Sequence, residues 1–262
     1  MTAHPWSFSP RLAVATWRRE VDVYRKLWKS TILSNMADPI VYLAAMGFGL
    51  GAYVVLPPQL AGVRYSEFLA PGLVASAVMM AATFEVAWNT YMRMHAERIY
   101  DALVATPAQL EDVVAGEILW AATRASIYGI VMTAVFAALG LVGSPLALAV
   151  VPLATLSGLA FGAIGMSYTA SVRGMDQLTF YFTLFITPQF LFSGIFFPLD
   201  ALPPFVQAAA KALPLHHVVE FNRAAFFGTL GLEHLVHVGY LAALLVAFYP
   251  IAVWRVKRLL VQ

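Results

Sequence analysis

The chain has 262 residues, 61% of them apolar and only 11% charged, with no cysteine and a formal net charge of +2. Soluble domains run nearer to about 45–50% apolar and 25% charged. This balance excludes a soluble catalytic domain, and the missing cysteines exclude disulfides and thiolate metal centres.

A membrane-spanning helix needs about 20 mostly apolar residues. Six stretches qualify, at 32–56, 67–92, 113–140, 146–170, 177–197 and 232–254. Together they consume most of the chain, so the expectation is one all-α membrane domain over 1–262 with six transmembrane helices. Cationic residues set its orientation. Arg11, Arg18, Arg19, Arg25, Lys26 and Lys29 precede the first span, Arg93, Arg98 and Arg173 follow the second and fourth, and Arg255, Lys257 and Arg258 close the tail. The alternate connections hold only Arg64, Lys211 and Arg223. By the positive-inside bias both termini are expected in the cytoplasm.

Ser9-Pro10 reads as a helix start, with serine as N-cap and proline in the first turn. Trp17, Val21, Tyr24 and Trp28 then recur at helical spacing while Arg18, Arg25, Lys26 and Lys29 face elsewhere. Residues 10–29 are therefore expected to form an amphipathic helix in the headgroup layer. No small-residue cleavage site follows an apolar core here, so this is not read as a signal peptide.

The second and third apolar runs carry the most informative residues. Glu85 lies in one, and Glu117 and Arg124 lie in the other. A charge at the bilayer centre costs roughly 2.5–3.5 kcal/mol on insertion scales, so one that persists usually has a partner or a task. The polar break between the runs centres near residue 105, and Glu85 and Arg124 are almost equidistant from it, as are Arg93 and Glu117. In an antiparallel hairpin equal distance from the turn means equal depth. Two cross-hairpin ion pairs are thus possible, Glu85 with Arg124 and Arg93 with Glu117. The alternative is that Arg124 snorkels and Glu85 faces a water-filled vestibule.

The connection at 97–106 is expected to form a short amphipathic helix, with Ile99, Tyr100 and Leu103 on one side and Glu97, Arg98 and Asp101 supplying mixed charge. Thr106-Pro107 then starts the next helix, with Gln109 completing a capping box. Such a segment suits a docked protein partner or a plain tight turn. In the fifth run Thr179, Thr183 and Thr187 form a hydroxyl stripe beside Tyr181 and Phe190, with Pro188 expected to kink the helix. The stripe fits either a path for an amphipathic substrate or helix–helix hydrogen bonding. Gly47/Gly51 and Gly158/Gly162 are spaced for close helix contact. Residues 198–228 hold two apolar stretches too short to cross a bilayer, broken by Pro203-Pro204 and Pro214. They are expected to be re-entrant helices on the outer side, between the fifth and sixth spans.

Enzymatic readings lack support. No glycine-rich loop ending in Lys-Ser or Lys-Thr is present, so the chain has no such ATP-binding device. His216, His217 and Glu220, or Glu233, His234 and His237, could be spaced for a metal, but histidines near a membrane interface are read as structural.

The segments NMADPIVYLAAMGFGLG (35–51), FLAPGLVASAVMMAATFE (68–85), IYDALVATP (99–107), GEILWAATR (116–124), FLFSGIFFPLDALP (190–203) and LPLHH (213–217) resemble permease subunits of type-2 ABC exporters. They look most like the nodulation-factor exporter (NodJ-type) branch. The resemblance implies a six-helix permease of the bacterial inner membrane that forms a homodimer and docks two copies of an ABC ATP-binding subunit. It implies that 97–106 is the coupling-helix region, 10–29 the interfacial helix and 198–228 the outer re-entrant helices. ATP and Mg2+ would be held by the partner, with no cofactor bound by this chain. The cargo implied is an amphipathic lipid-linked oligosaccharide or another lipid-like substrate. A hydrophobic-drug efflux permease, a proton-coupled transporter using Glu85 and Arg124, and a membrane scaffold remain the alternatives.

Overall fold

A computed structural model describes residues 9–51, 53–54, 62–97, 100, 109–172 and 174–260, with backbone alone at 29, 30, 32–36, 201 and 260. The described residues form helices and short turns. Helix α1 spans Pro10–Tyr42 and continues through a π-helical stretch, Leu43–Leu50. Helix α2 (Tyr65–Phe84), a π turn (Glu85–Asn89) and α3 (Thr90–His95) form one continuous run. Helix α4 spans Leu110–Ala138, and α5 spans Val150–Thr169 after the 3-10 turn Pro145–Ala149. Helices α6 (Met175–Tyr181) and α7 (Thr187–Phe192) flank a third π segment, Phe182–Ile186. Two short helices follow, α8 (Pro204–Lys211) and α9 (Pro214–Phe227), before α10 (Leu235–Leu260).

Four helices among the described residues are long and apolar enough to cross a membrane: Tyr65–His95, Leu110–Ala138, Pro145–Thr169 and Leu232–Leu259. The two remaining candidates from the sequence differ in form. The apolar part of the first, Ala37–Leu50, is shorter and grows directly out of α1. The backbone of the segment at 10–29 runs without a break into the apolar segment that follows it. The stretch between Trp28 and Asp38 holds no glycine or proline, and the Thr31 hydroxyl donates back to the Leu27 carbonyl at 3.0 Å within the helix. Helix α1 does start at Pro10 as expected, though the Ser9 side chain makes no cap bond. Instead the Ser9 N–H donates to Asp112 Oδ1 at 2.7 Å.

The run from α2 to α3 is the axis of the fold. Phe68, Leu69, Leu73, Val74, Val78 and Met79 are fully or almost fully buried, packed with residues of α4, α5 and α9. Small residues set the helix spacing. A Cβ on Gly158 would lie 2.6 Å from Ala122 Cα, and one on Gly116 would lie 2.6 Å from Thr16 Cβ, so α5 and α1 both approach α4 to near backbone contact. The aromatic face of α1 packs onto α4 as well. Trp17 Nε1 donates to Thr123 Oγ1 at 2.9 Å, and the Tyr24 ring meets Trp120 edge-on at 5.3 Å.

Helix α4 starts at Leu110, later than the expected start at Thr106-Pro107. Asp112 supplies the cap, accepting from the Gln109 N–H at 3.1 Å. Thr106 and Pro107 lie outside the described residues. Helix α9 closes the opposite end of the bundle. Asn222 Nδ2 donates to the Pro71 carbonyl at 3.3 Å, Arg223 Nη2 donates to the Gly194 carbonyl at 2.6 Å, and the Gly143 N–H donates to the Phe226 carbonyl at 3.1 Å. Gly228, with φ of 76°, ends α9 in the left-handed conformation that favours glycine.

Candidate functional site: a buried ionic network and an adjoining cleft

Glu85 opens the π turn in the α2–α3 run, and Thr90 donates its N–H back to the Glu85 carbonyl across the widened turn. π turns inside α-helices frequently mark functional sites, because the extra residue re-aims the side chains that follow. Here they converge on one arginine. Arg93 Nη2 donates to Glu85 Oε1 at 2.8 Å and to Thr90 Oγ1 at 3.1 Å, while Nη1 donates to Glu20 Oε2 at 3.1 Å. It also pairs closely with Glu117 Oε2, and the Thr90 hydroxyl donates to that same oxygen at 3.1 Å. The other oxygen of Glu85 pairs closely with Arg124 and accepts from Asn89 Nδ2 at 2.7 Å. Arg19 bridges Glu20 and lies 3.7 Å from Glu117 Oε1.

The structure thus brings Glu85 to Arg124 and Arg93 to Glu117, and fuses the two contacts into one network. Three guanidiniums (Arg19, Arg93, Arg124) meet three carboxylates (Glu20, Glu85, Glu117), so the cluster is formally neutral. Glu85 and Glu117 are about as buried as any side chain in the chain, at 1% and 0% exposure. Burying charge is tolerated only where it is paired, and here each carboxylate meets at least one guanidinium, although Glu117 Oε1 and the Nε atoms of Arg93 and Arg124 lie buried without a hydrogen-bond partner among the described residues. The Arg124 guanidinium also lies over the Tyr24 and Tyr128 rings, at 5.9 and 5.8 Å from their centroids. Sequence reasoning missed Glu20. It sits on α1, whose register against α2 and α4 no hairpin count can supply; its position on the helix face of Ala13 and Thr16, opposite the exposed cations, was the available signal.

The expected docking segment is described only in part. Glu97 is exposed, whereas Arg98, Ile99, Asp101, Leu103 and Thr106 lie outside the described residues. Tyr100 corrects the expectation of an aromatic presented to a partner. It is fully buried, in one apolar cluster with Met94, Val113, Val114, Ile118 and Met166. Burial pushes its hydroxyl well above the usual phenol range, and the nearby Glu117 carboxylate adds to this.

The hydroxyl stripe separates into two parts. A cleft of about 260 Å³ lies between α1, α2 and α7, lined by Asp38, Tyr42, Ser76, Met80, Phe84, Thr187 and Phe190 among others. Thr187 and Phe190 therefore line it, and the Phe190 ring meets Tyr42 at 5.3 Å. Thr179 and Thr183 are exposed on the same helical run. Tyr181 does not join them. It is buried on the opposite face, stacked between Tyr168 at 4.8 Å and Phe185 at 5.3 Å, where ring contacts outweigh access to a polar path. Pro188 is accommodated by the π segment before it, and Thr187 Oγ1 donates to the Phe182 carbonyl at 3.0 Å. Asp38 is a carboxylate on the cleft wall with no cation paired to it among the described residues.

At the α9 end, His216, His217 and His237 gather. His217 Nδ1 and His237 Nδ1 are 2.9 Å apart, and His217 Nε2 donates to the Lys211 carbonyl at 3.1 Å. Burial, with His237 and His216 beside it, lowers the His217 imidazole to about 4. Among the described residues no group of three or more His, Cys, Asp or Glu side chains is arranged to hold a metal.

Helices of this length and apolarity, packed around a buried neutral charge cluster, define a polytopic membrane protein. The profile of the family described as "ABC-2 type transporter" matches residues 11–227, and the chain belongs to that family as a membrane-spanning permease subunit. It is 36% identical over 262 residues to Nodulation protein J of Sinorhizobium fredii, covering 100% of this chain and 97% of that protein. It is 38% identical over 239 residues to Nodulation protein J of Rhizobium meliloti, covering 91% and 87% of the two chains. The inner membrane transport permease YadH of Escherichia coli is 24% identical over 255 residues, covering 92% and 93%.

Proposed function

We propose that this chain is the translocation subunit of an ATP-driven exporter that moves an amphipathic, lipid-linked oligosaccharide outward across the bacterial inner membrane. The observation that carries the reading is the α1–α2–α7 cleft, whose aromatic and apolar wall (Tyr42, Met80, Phe84, Phe190) also presents Asp38, Ser76 and Thr187. An apolar tail and a hydroxyl-rich head could each find matching groups there. Similarity over most of the length of the two nodulation proteins supports the glycolipid end of the cargo range.

In this reading the chain forms a homodimer, with two ATP-binding subunits docked near 97–106 and ATP and Mg2+ held by them. Both termini are cytoplasmic, and α1 and the α6–α7 run complete six spans. Helices α8 and α9 form the outer re-entrant layer. ATP binding closes the partner subunits, and the push reaches the cleft through the α3–α4 hairpin and the ionic network, which clamps α1, α2, α3 and α4 into one lever. A hydrophobic-drug cargo would use the same cleft. The proton-coupled alternative draws little support, since both oxygens of Glu85 are engaged by guanidiniums.

The test is reconstitution with the cognate ATP-binding subunit. ATP-dependent accumulation of a lipid-linked chito-oligosaccharide on the outer side, lost when Thr187→Trp and Phe190→Ala are introduced, supports the reading. Transport of hydrophobic dyes alone would assign the drug-efflux alternative.

A further inference from the structure

A second site lies away from the cleft, where the ends of α5 and α10 meet near the start of α6. A cavity of about 350 Å³ is lined by Ala170, Ser171, Val172, Trp254, Arg255, Arg258 and Leu259. A groove of about 390 Å³ adjoins it, lined mainly by Phe180, Leu184, Phe185, Phe248 and Ile251. Arg255 belongs to both, so a basic mouth and an apolar channel share one residue.

The guanidinium of Arg255 is held rather than free to swing. Nη1 donates to the Ser167 carbonyl at 3.0 Å and to Ser171 Oγ at 2.7 Å. Arg258 lies over the Trp254 ring, 5.7 Å from its centroid. Among the described residues no carboxylate pairs with either arginine, whereas neighbouring Lys257 pairs with Glu111. Two positioned, uncompensated cations therefore face one cavity. Trp254 is 56% exposed at its rim, the position amphipathic rings take at headgroup level. Phe248 lies seven residues before Arg255, about 10 Å further along the helix. Phe180 and Leu184, 60% and 73% exposed, extend the apolar surface.

We infer that this is a binding site for an anionic phospholipid of the adjacent leaflet, its phosphate held by Arg255 and Arg258 and one acyl chain lying in the Phe180–Leu184–Phe248–Ile251 groove. Charge complementarity selects the head, and the groove selects a molecule with a tail. Basic pockets between transmembrane helices bind anionic headgroups on the same grounds. Bound there, the lipid ties α6 to α5 and α10 and braces the run that carries Thr187 and Phe190. The site is independent of the cargo proposed above, because it shares no residue with the cleft.

The experiment is native mass spectrometry of the detergent-solubilised full chain titrated with phosphatidylglycerol, phosphatidylcholine or glycerol phosphate. Phosphatidylglycerol should be retained in preference to phosphatidylcholine. Arg258→Gln, which breaks no hydrogen bond among the described residues, should weaken it about fivefold, and Arg255→Gln with Arg258→Gln about 25-fold. Leu184→Glu, leaving both arginines in place, should also reduce retention. Equal retention of both lipids, or unchanged retention in Arg258→Gln and the double variant, would overturn the site. Displacement of the lipid by glycerol phosphate alone would overturn the tail assignment and make it a site for a soluble anion.

Discussion

Removing Arg93 should be the most damaging single change to the ionic network. Its guanidinium contacts Glu20, Glu85 and Glu117, so Arg93→Gln strands Glu117 and loosens the other two carboxylates at once. Breaking a buried pair by deleting one partner costs roughly 3–5 kcal/mol, and three stranded contacts place Arg93→Gln at the upper end. Arg124 meets one carboxylate oxygen, and Glu85 keeps Arg93 and Asn89 when it is gone. Arg124→Gln should therefore sit at or below the lower end, about 2–3 kcal/mol. For a chain of this size each kcal/mol moves the midpoint by roughly 2–4 °C, so the two variants should fall about 15 and 8 °C below the parent. The assay is thermal unfolding in detergent by intrinsic fluorescence. Glu85→Gln combined with Arg124→Gln should be milder than the sum of the singles, with a coupling of about 0.5–3 kcal/mol. An Arg93→Gln variant no less stable than Arg124→Gln, together with strict additivity in the cycle, would refute the network as drawn.

The purified chain alone should hydrolyse no ATP, with turnover appearing only when a nucleotide-binding chain is co-purified; activity above a buffer control in the pure protein would contradict this. Gly158→Leu should lower stability by about 1–3 kcal/mol, because its Cβ would sit 2.6 Å from Ala122 Cα, and an unchanged unfolding midpoint would count against the close α4–α5 packing. His217, lowered to about 4 by burial and its histidine neighbours, stays neutral in the folded state while the unfolded chain takes up a proton near pH 6.5. The unfolded state then binds more protons between those values, so stability should fall as pH drops from 6.5 towards 4. His217→Gln should flatten that slope, and an identical pH profile in the variant would exclude His217 as its source. Charge reversal at exposed Glu97 should reduce recovery of the ATP-binding subunit in pull-downs while leaving membrane insertion intact.

Depth was legible in the sequence, and rotation was not. Counting outward from residue 105 matched Glu85 with Arg124 and Arg93 with Glu117, because an antiparallel hairpin converts distance along the chain into height. The count carried no information about a third helix, so Glu20 and Arg19 were invisible to it. The same limit explains Tyr181. Four-residue spacing put the threonines on one face, but a neighbouring aromatic could face the path or the core, and contact with Tyr168 decided for the core. Tyr100 looked like a docking residue because a polar connection surrounds it in the sequence, yet its ring gains more from burial among Met94, Val113 and Ile118. The helix also runs on past Lys29 without a break. A change from amphipathic to apolar composition alters what a helix faces without requiring the backbone to stop.

Outward export is tested most directly by transport with the chain and its ATP-binding partner in sealed proteoliposomes, with a lipid-linked chito-oligosaccharide supplied on the nucleotide-accessible side. ATP-dependent appearance of that lipid on the far side is expected, abolished by Thr187→Trp in the cleft and insensitive to a collapsed proton gradient. Movement that proceeds without ATP and stops when the proton gradient is removed would contradict it.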